Sequence, residues 1–222
     1  MSVYLYSLYA LLNFSLLVWA VRLWRPARPA GTGFLALVLF GLFYDNALVA
    51  AGRFVPAGDL LLVFSYPRFA LHQLVLPWII VSAFELARQA GLTWTHGARA
   101  ARLAWAGAAV VMVIGVATRL VPLRLEPEVV DGLTRYVARG VSGPPLVSVL
   151  SIGFVGFVGL SLWRAGRGPW IALIVLGVFI GEGLPIPAVR LVLGAGLEIG
   201  LMAALLALTA RLGRRGAPLA NP

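Results

Sequence analysis

Two residue types are missing from this chain, and each absence removes chemistry. There is no cysteine. That excludes disulfides, thiolate nucleophiles, cysteine-ligated zinc and iron–sulfur clusters. There is no lysine either; all 18 basic residues are arginine. A lysine Schiff base, and with it a retinal bound in the rhodopsin manner, is therefore excluded, as is the lysine of a P-loop. Histidine is nearly absent, with only His72 and His96. A multi-histidine metal or haem site cannot be built from two residues, so no metal and no cofactor is expected. Charge is scarce as well: 12% of residues are charged, half the share of an ordinary soluble domain.

Apolar residues fill the chain instead. They make up 61% of 222 residues, with a mean hydropathy of +0.94. A globule of this size exposes too much surface to hide that excess from water. The fitting solvent is a bilayer. The expectation is an all-α polytopic membrane protein whose residues 1–222 form a single transmembrane domain. The net charge of +10 does not point to nucleic acid, because the arginines cluster at the ends of apolar runs. That placement suits topology and contact with lipid headgroups.

About 20 helical residues span the hydrocarbon. Seven apolar segments of about that length can be counted: Val3–Val21, Gly33–Gly52, Pro67–Ala87, Ala100–Val121, Leu146–Trp163, Trp170–Ile186 and Arg190–Leu212. Asp59–Tyr66 is also apolar and can extend the third segment, with a kink at Pro67. The N-terminus lacks the basic region of a cleavable signal peptide, and its first arginines follow the apolar run. With the N-terminus outside, eleven arginines fall inside and six outside, and Arg68 lies within the third segment. The positive-inside rule therefore predicts seven helices, N-out and C-in. The all-arginine, Ala/Leu/Gly-rich usage suggests a GC-rich bacterial genome, hence a plasma (inner) membrane.

An internal repeat is visible. Phe34–Phe43 and Trp170–Phe179 share Ala, Leu, Gly and Phe at an offset of 136 residues, and the remaining pairs are apolar. The loops before them also match: Leu23-Trp24-Arg25 with Leu162-Trp163-Arg164, and Arg28 with Arg167. Downstream, Arg68 aligns with Arg190 and Ala87-Arg88 with Ala210-Arg211. The segments at about 3–90 would be repeated at about 146–212, with the segment at about 100–121 between them. Such a 3+1+3 layout makes the repeats parallel, related by an axis along the membrane normal. It resembles the architecture of the SWEET and PQ-loop carriers, although the Pro-Gln helix motif is absent. A two-times-three layout also occurs in membrane lycopene cyclases, whose Pro-x-Glu-Glu signature is missing here. An architectural likeness carries no site residues with it.

Ionisable groups inside membrane helices are costly and are functional candidates by default. These are Asp45, with Asn46 beside it, then Arg68, His72, Glu182, Arg190 and Glu198; Glu85 lies near the opposite end of the third segment. At about 1.5 Å per residue, Asp45, His72, Glu182 and Glu198 sit roughly 8–12 Å below the outer ends of their segments. Arg68 and His72, four residues apart, share a helix face. This outer-half cluster is open to two readings. It is a ligand-binding or proton-handling pocket, or it is a set of register-fixing ion pairs such as Asp45–Arg68 and Glu182–Arg190. A lone helical histidine is more often a hydrogen-bonded interior residue than a ligand, but beside carboxylates it can relay a proton. Glu182 stands in Gly181-Glu182-Gly183-Leu184-Pro185-Ile186-Pro187, a helix-breaking run tolerated at membrane depth only where backbone faces protein or a cavity.

Gly177-x-x-x-Gly181, Gly196-x-x-x-Gly200 and the Gly153, Gly156, Gly159 row are small-residue packing faces, within the chain or between copies in a homo-oligomer. Ser142, in Gly140-Val141-Ser142-Gly143, echoes a rhomboid nucleophile, but no histidine follows it. Within the outer loop 122–145, Val129, Val130, Leu133, Tyr136 and Val137 have helical spacing, so an interfacial helix and a solvated loop are both open. Three functions fit these residues: a carrier or binding bundle for a small or amphipathic ligand, a membrane-embedded enzyme acting on a lipid or isoprenoid, or a structural and assembly subunit. The expected partners are the bilayer and a small-molecule or lipid ligand.

Overall fold

The computed structural model describes residues 2–25, 29–130, 132–184 and 187–216, and side chains within 4–25, 29–130, 132–184 and 194–213. Among the described residues there are eight α-helices: α1 (Ser2–Trp24), α2 (Ala30–Ala51), α3 (Asp59–Val75), α4 (Ile79–Gln89), α5 (Ala98–Gly115), α6 (Leu146–Arg164), α7 (Trp170–Gly183) and α8 (Pro187–Gly216). Among the described residues, six apolar spans are long enough to cross a membrane: Tyr4–Trp24, Ala30–Ala51, Asp59–Gln89, Ala98–Leu120, Leu146–Arg164 and Gly194–Gly213. This is a multi-pass, all-α membrane protein.

Two expected segments differ in detail. The third does not begin at Pro67. Helix α3 runs through that proline, and the break comes ten residues later as a 3-10 turn at Leu76–Trp78 around Pro77. Proline removes one backbone donor, so the tighter turn takes over where Pro77 cannot bond. The sixth segment, expected as Trp170–Ile186, forms a helix of only 14 residues that stops at Gly183. Leu184 precedes Pro185 and takes extended backbone (φ −70°, ψ 136°). Clash with the following proline ring disfavours the helical conformation there.

Helix α4 is the centre of the bundle. Ile79, Ile80, Val81, Ser82, Ala83, Phe84, Leu86 and Ala87 are all buried, although the helix also carries Glu85, Arg88 and Gln89. It packs against α2, α5, α6 and α8, while α1 lies along α2 and α8, and α7 along α6 and α8. The main core joins Leu35 and Leu39 of α2, Ala83 and Ala87 of α4, Val155 and Val158 of α6, and Leu201, Leu205 and Leu206 of α8.

At the other end of these helices sits an antiparallel hairpin, β1 (Arg124–Val130) and β2 (Leu133–Arg139), in register from Arg124↔Arg139 to Val130↔Leu133. This replaces the expected interfacial helix or solvated loop. The sequence did carry the signal: Asp131-Gly132 between β-branched residues is a hairpin turn pattern, and Gly132 has φ +75°. The hairpin is docked, not free. Thr134 N donates to Gly52 O (3.0 Å) and Tyr136 Oη to Gly58 O (3.3 Å), tying β2 to the α2–α3 connection. Gly52 is required there, because any Cβ would overlap the carbonyl oxygen of Thr134. The hairpin marks one end of the bundle, called the hairpin end below.

Candidate functional site

A cavity of about 360 Å³ opens between α2, α3, α6, α8 and the connection from α5 to α6. Its walls are largely apolar, including Val38, Leu42, Phe69, Leu76, Ile152 and Met202. Its polar lining is Asp45, Arg68, His72, Gln73, Arg119 and Glu198. These six come from four stretches of chain. Asp45 stands two turns before the end of α2, and Arg68 and His72 lie one turn apart on α3. Glu198 is in α8. Arg119 lies in a π-helical turn, Val116–Leu120, that continues α5. There Val121 N donates to Val116 O (2.9 Å), an i to i−5 bond. Such π turns locally widen a helix and recur at functional sites.

Arg68 Nε donates to Asp45 Oδ1 as an ion pair, with 18% and 38% of the two side chains exposed. Arg68 Nη1 also donates to the carbonyl of Tyr136 (3.2 Å), and the guanidinium lies 5.1 Å from the centre of the Phe69 ring. One arginine thereby links α2, α3 and the hairpin. Arg119 Nη2 donates to the carbonyls of Gly143 (2.7 Å) and Pro144 (2.6 Å), which closes the connection into α6. His72 is accessible on the cavity side, and its Nε2 is 3.0 Å from Ser148 Oγ.

The expected cluster is thus brought together in part. Asp45, Arg68, His72 and Glu198 share one cavity at the hairpin end. Asn46 does not join them: it is buried and its Nδ2 donates to Leu42 O (2.8 Å) within its own helix. Glu182 ends α7 and rests its carboxylate against Gly194 of α8, where any Cβ would strike it; it is not part of the cavity wall. The side chain of Arg190 lies outside the described residues, and so does the expected Glu182–Arg190 pair. Glu85, at the far end, accepts from Gly31 N (2.8 Å) at the start of α2, with Ser82 Oγ donating to Gly31 O (2.7 Å). Its role is to cap a neighbouring helix. Gly156 meets Val175, Gly159 meets Ala172, and Gly177 meets Leu197, all within the chain.

Three participants were not singled out from sequence. Gln73 follows His72 inside an apolar helix, where any amide deserves an explanation. In sequence, Arg119 reads only as one more arginine at the end of an apolar run. Ser148 carries no local signal, because its partner is 76 residues away. Among the described residues, no group of three or more His, Asp and Glu side chains is arranged to hold a metal ion.

Compared with known proteins, the chain matches no protein-family model and no curated protein. The site must be read from its own geometry.

Proposed function

We propose that this protein binds or transports a small or amphipathic ligand through the hairpin-end cavity. The carrying observation is the cavity itself: about 360 Å³ of mostly apolar wall with a few convergent polar groups. Ligand sites have this makeup and typically about 300–1,000 Å³. The arginine bias puts the hairpin end outside and the C-terminus in the cytoplasm of a bacterial inner membrane. On this reading α7 is the sixth of seven spans; at 14 residues it rises only about 21 Å of a hydrocarbon layer of about 30 Å. The 3+1+3 repeat fits a carrier.

The test uses purified protein in nanodiscs, exposed to a total lipid and metabolite extract and examined by native mass spectrometry. Wild type should carry an adduct that Leu42→Trp, which fills the cavity, excludes without losing its fold. Equal adducts on both proteins would overturn the reading. Orientation is tested separately, because the cysteine-free chain accepts single reporters. Ala138→Cys should react with a membrane-impermeant thiol reagent from the outside of intact cells; reaction only from the cytoplasmic side would invert the topology.

A second reading, an enzyme acting on a lipid or isoprenoid, is favoured by the His72–Ser148 contact at the cavity. There the imidazole can take or give a proton beside a bound substrate. Chemical conversion of the same extract by wild type, lost in His72→Gln, would select this reading over simple binding.

A further inference from the structure

We propose that the ligand of the hairpin-end cavity carries a cationic nitrogen bearing N–H groups, a primary ammonium or a guanidinium, and that Glu198 receives it. This rests on the binding reading above and specifies its chemistry.

Donors and acceptors around the cavity do not balance. Two arginines line the cavity and both are engaged elsewhere. Arg68 is paired with Asp45, and Arg119 donates to two backbone carbonyls. The ion pairs among the described residues are Arg68–Asp45, Arg135–Glu128 and Arg139–Glu126. Glu198 belongs to none of them and makes no hydrogen bond with a described residue. A carboxylate inside a membrane helix is expensive without a partner. It contrasts with Glu85, whose oxygen is met by Gly31 N–H.

A second group points the same way. Gln73 lines the same cavity and is only 8% exposed, and its Oε1, packed beside Gly115 of α5, has no hydrogen-bond partner among the described residues. The two unmet groups are both acceptors, and one is an acid. Their complement is a positive, donor-rich head. A quaternary ammonium supplies charge but no N–H, so a primary ammonium satisfies both groups better. Val38, Leu42 and Met202 in the same wall suit an apolar body attached to that head.

The test compares three probes of equal length on the intact protein in nanodiscs: hexylammonium, hexan-1-ol and hexanoate, with affinities measured by titration calorimetry. Hexylammonium should bind best. Glu198→Gln should weaken it roughly 10–100-fold, the worth of a hydrogen bond to a charged group, and should weaken hexan-1-ol, which brings no charge, by far less. Gln73→Met should weaken hexylammonium about 2–10-fold, as for a neutral acceptor. This second variant keeps the proposal testable if Glu198→Gln does not fold. Equal hexylammonium affinity in wild type and Glu198→Gln would mean that the side chain acts as a neutral group, and would overturn the proposal. Preference for hexanoate or hexanol, blocked by Leu42→Trp, would also overturn it but leave the cavity reading standing. Binding of none of the three would count against both.

Discussion

The two ends of this bundle are made from the same helices and are built on different principles. At the far end, Leu35, Leu39, Ala83, Val155, Val158, Leu205 and Leu206 close the space between α2, α4, α6 and α8. The acid found there, Glu85, is consumed as a helix cap. At the hairpin end the same α2, α6 and α8 leave a cavity, and its polar lining includes Asp45, Arg68, His72 and Glu198. Cores are normally packed to crystal-like density. An open, charged volume inside an apolar bundle is therefore a departure that packing alone would remove. Stability should reside in the closed end, and ligand chemistry in the open one.

The largest expected effect tests the link between the two. Arg68→Leu leaves Asp45 without its counter-charge and also releases the Tyr136 carbonyl. Removing one partner of a buried pair costs about 3–5 kcal/mol. The Arg68–Asp45 pair is only half-buried, with 38% of the Asp45 side chain exposed, so about 2 kcal/mol, between the surface and buried cases, is expected here. Thermal melting should show this loss, and Asp45→Asn combined with Arg68→Leu should recover most of it. If the single variant melts like wild type, the pair is not structural at all.

Next in size is Gly52→Ala. The added methyl meets the Thr134 carbonyl, so the hairpin must move off the α2–α3 connection, at a cost of about 1–3 kcal/mol. Limited proteolysis should then cut within residues 132–143 while the membrane spans stay protected. Unchanged protection of the hairpin would show that its docking is looser than the hydrogen bonds suggest.

A smaller loss is expected from Glu85→Ala. It strips the cap from Gly31 N, worth about 1 kcal/mol, and should leave ligand affinity untouched. With Glu198→Gln expected to do the reverse, the two glutamates form the sharpest form of the comparison. Lost binding in Glu85→Ala would show that the ends are coupled.

The smallest effect should come from Ser148→Ala. It removes one accessible, neutral hydrogen bond to His72, worth about 0.5 kcal/mol at the low end of the usual range. A large loss of catalytic turnover with so small a change in melting would favour the enzyme reading over binding.

Much of this was determined by the sequence. Hydropathy alone fixes the membrane class, because an apolar run of about 20 residues has no other stable environment. The spans at Ala30–Ala51 and Leu146–Arg164 lie within a few residues of the segments counted from composition. The rise per residue brought Asp45, Arg68, His72 and Glu198 to one end, since depth along a helix is a one-dimensional quantity. Rotation about the helix axis is not, and there the sequence stopped short. Asn46 is adjacent to Asp45, yet it satisfies itself within its own helix, while Glu182 leaves the cavity for a glycine of α8. Pro67 and Pro77 look alike in sequence, but only the second coincides with a break. Which proline matters depends on what its neighbours can re-satisfy. The hairpin's docking, the carbonyls that hold Arg119 and the lack of a partner for Glu198 among the described residues are long-range facts. Tertiary structure decided them, because each depends on which distant groups the packing brings within hydrogen-bond reach.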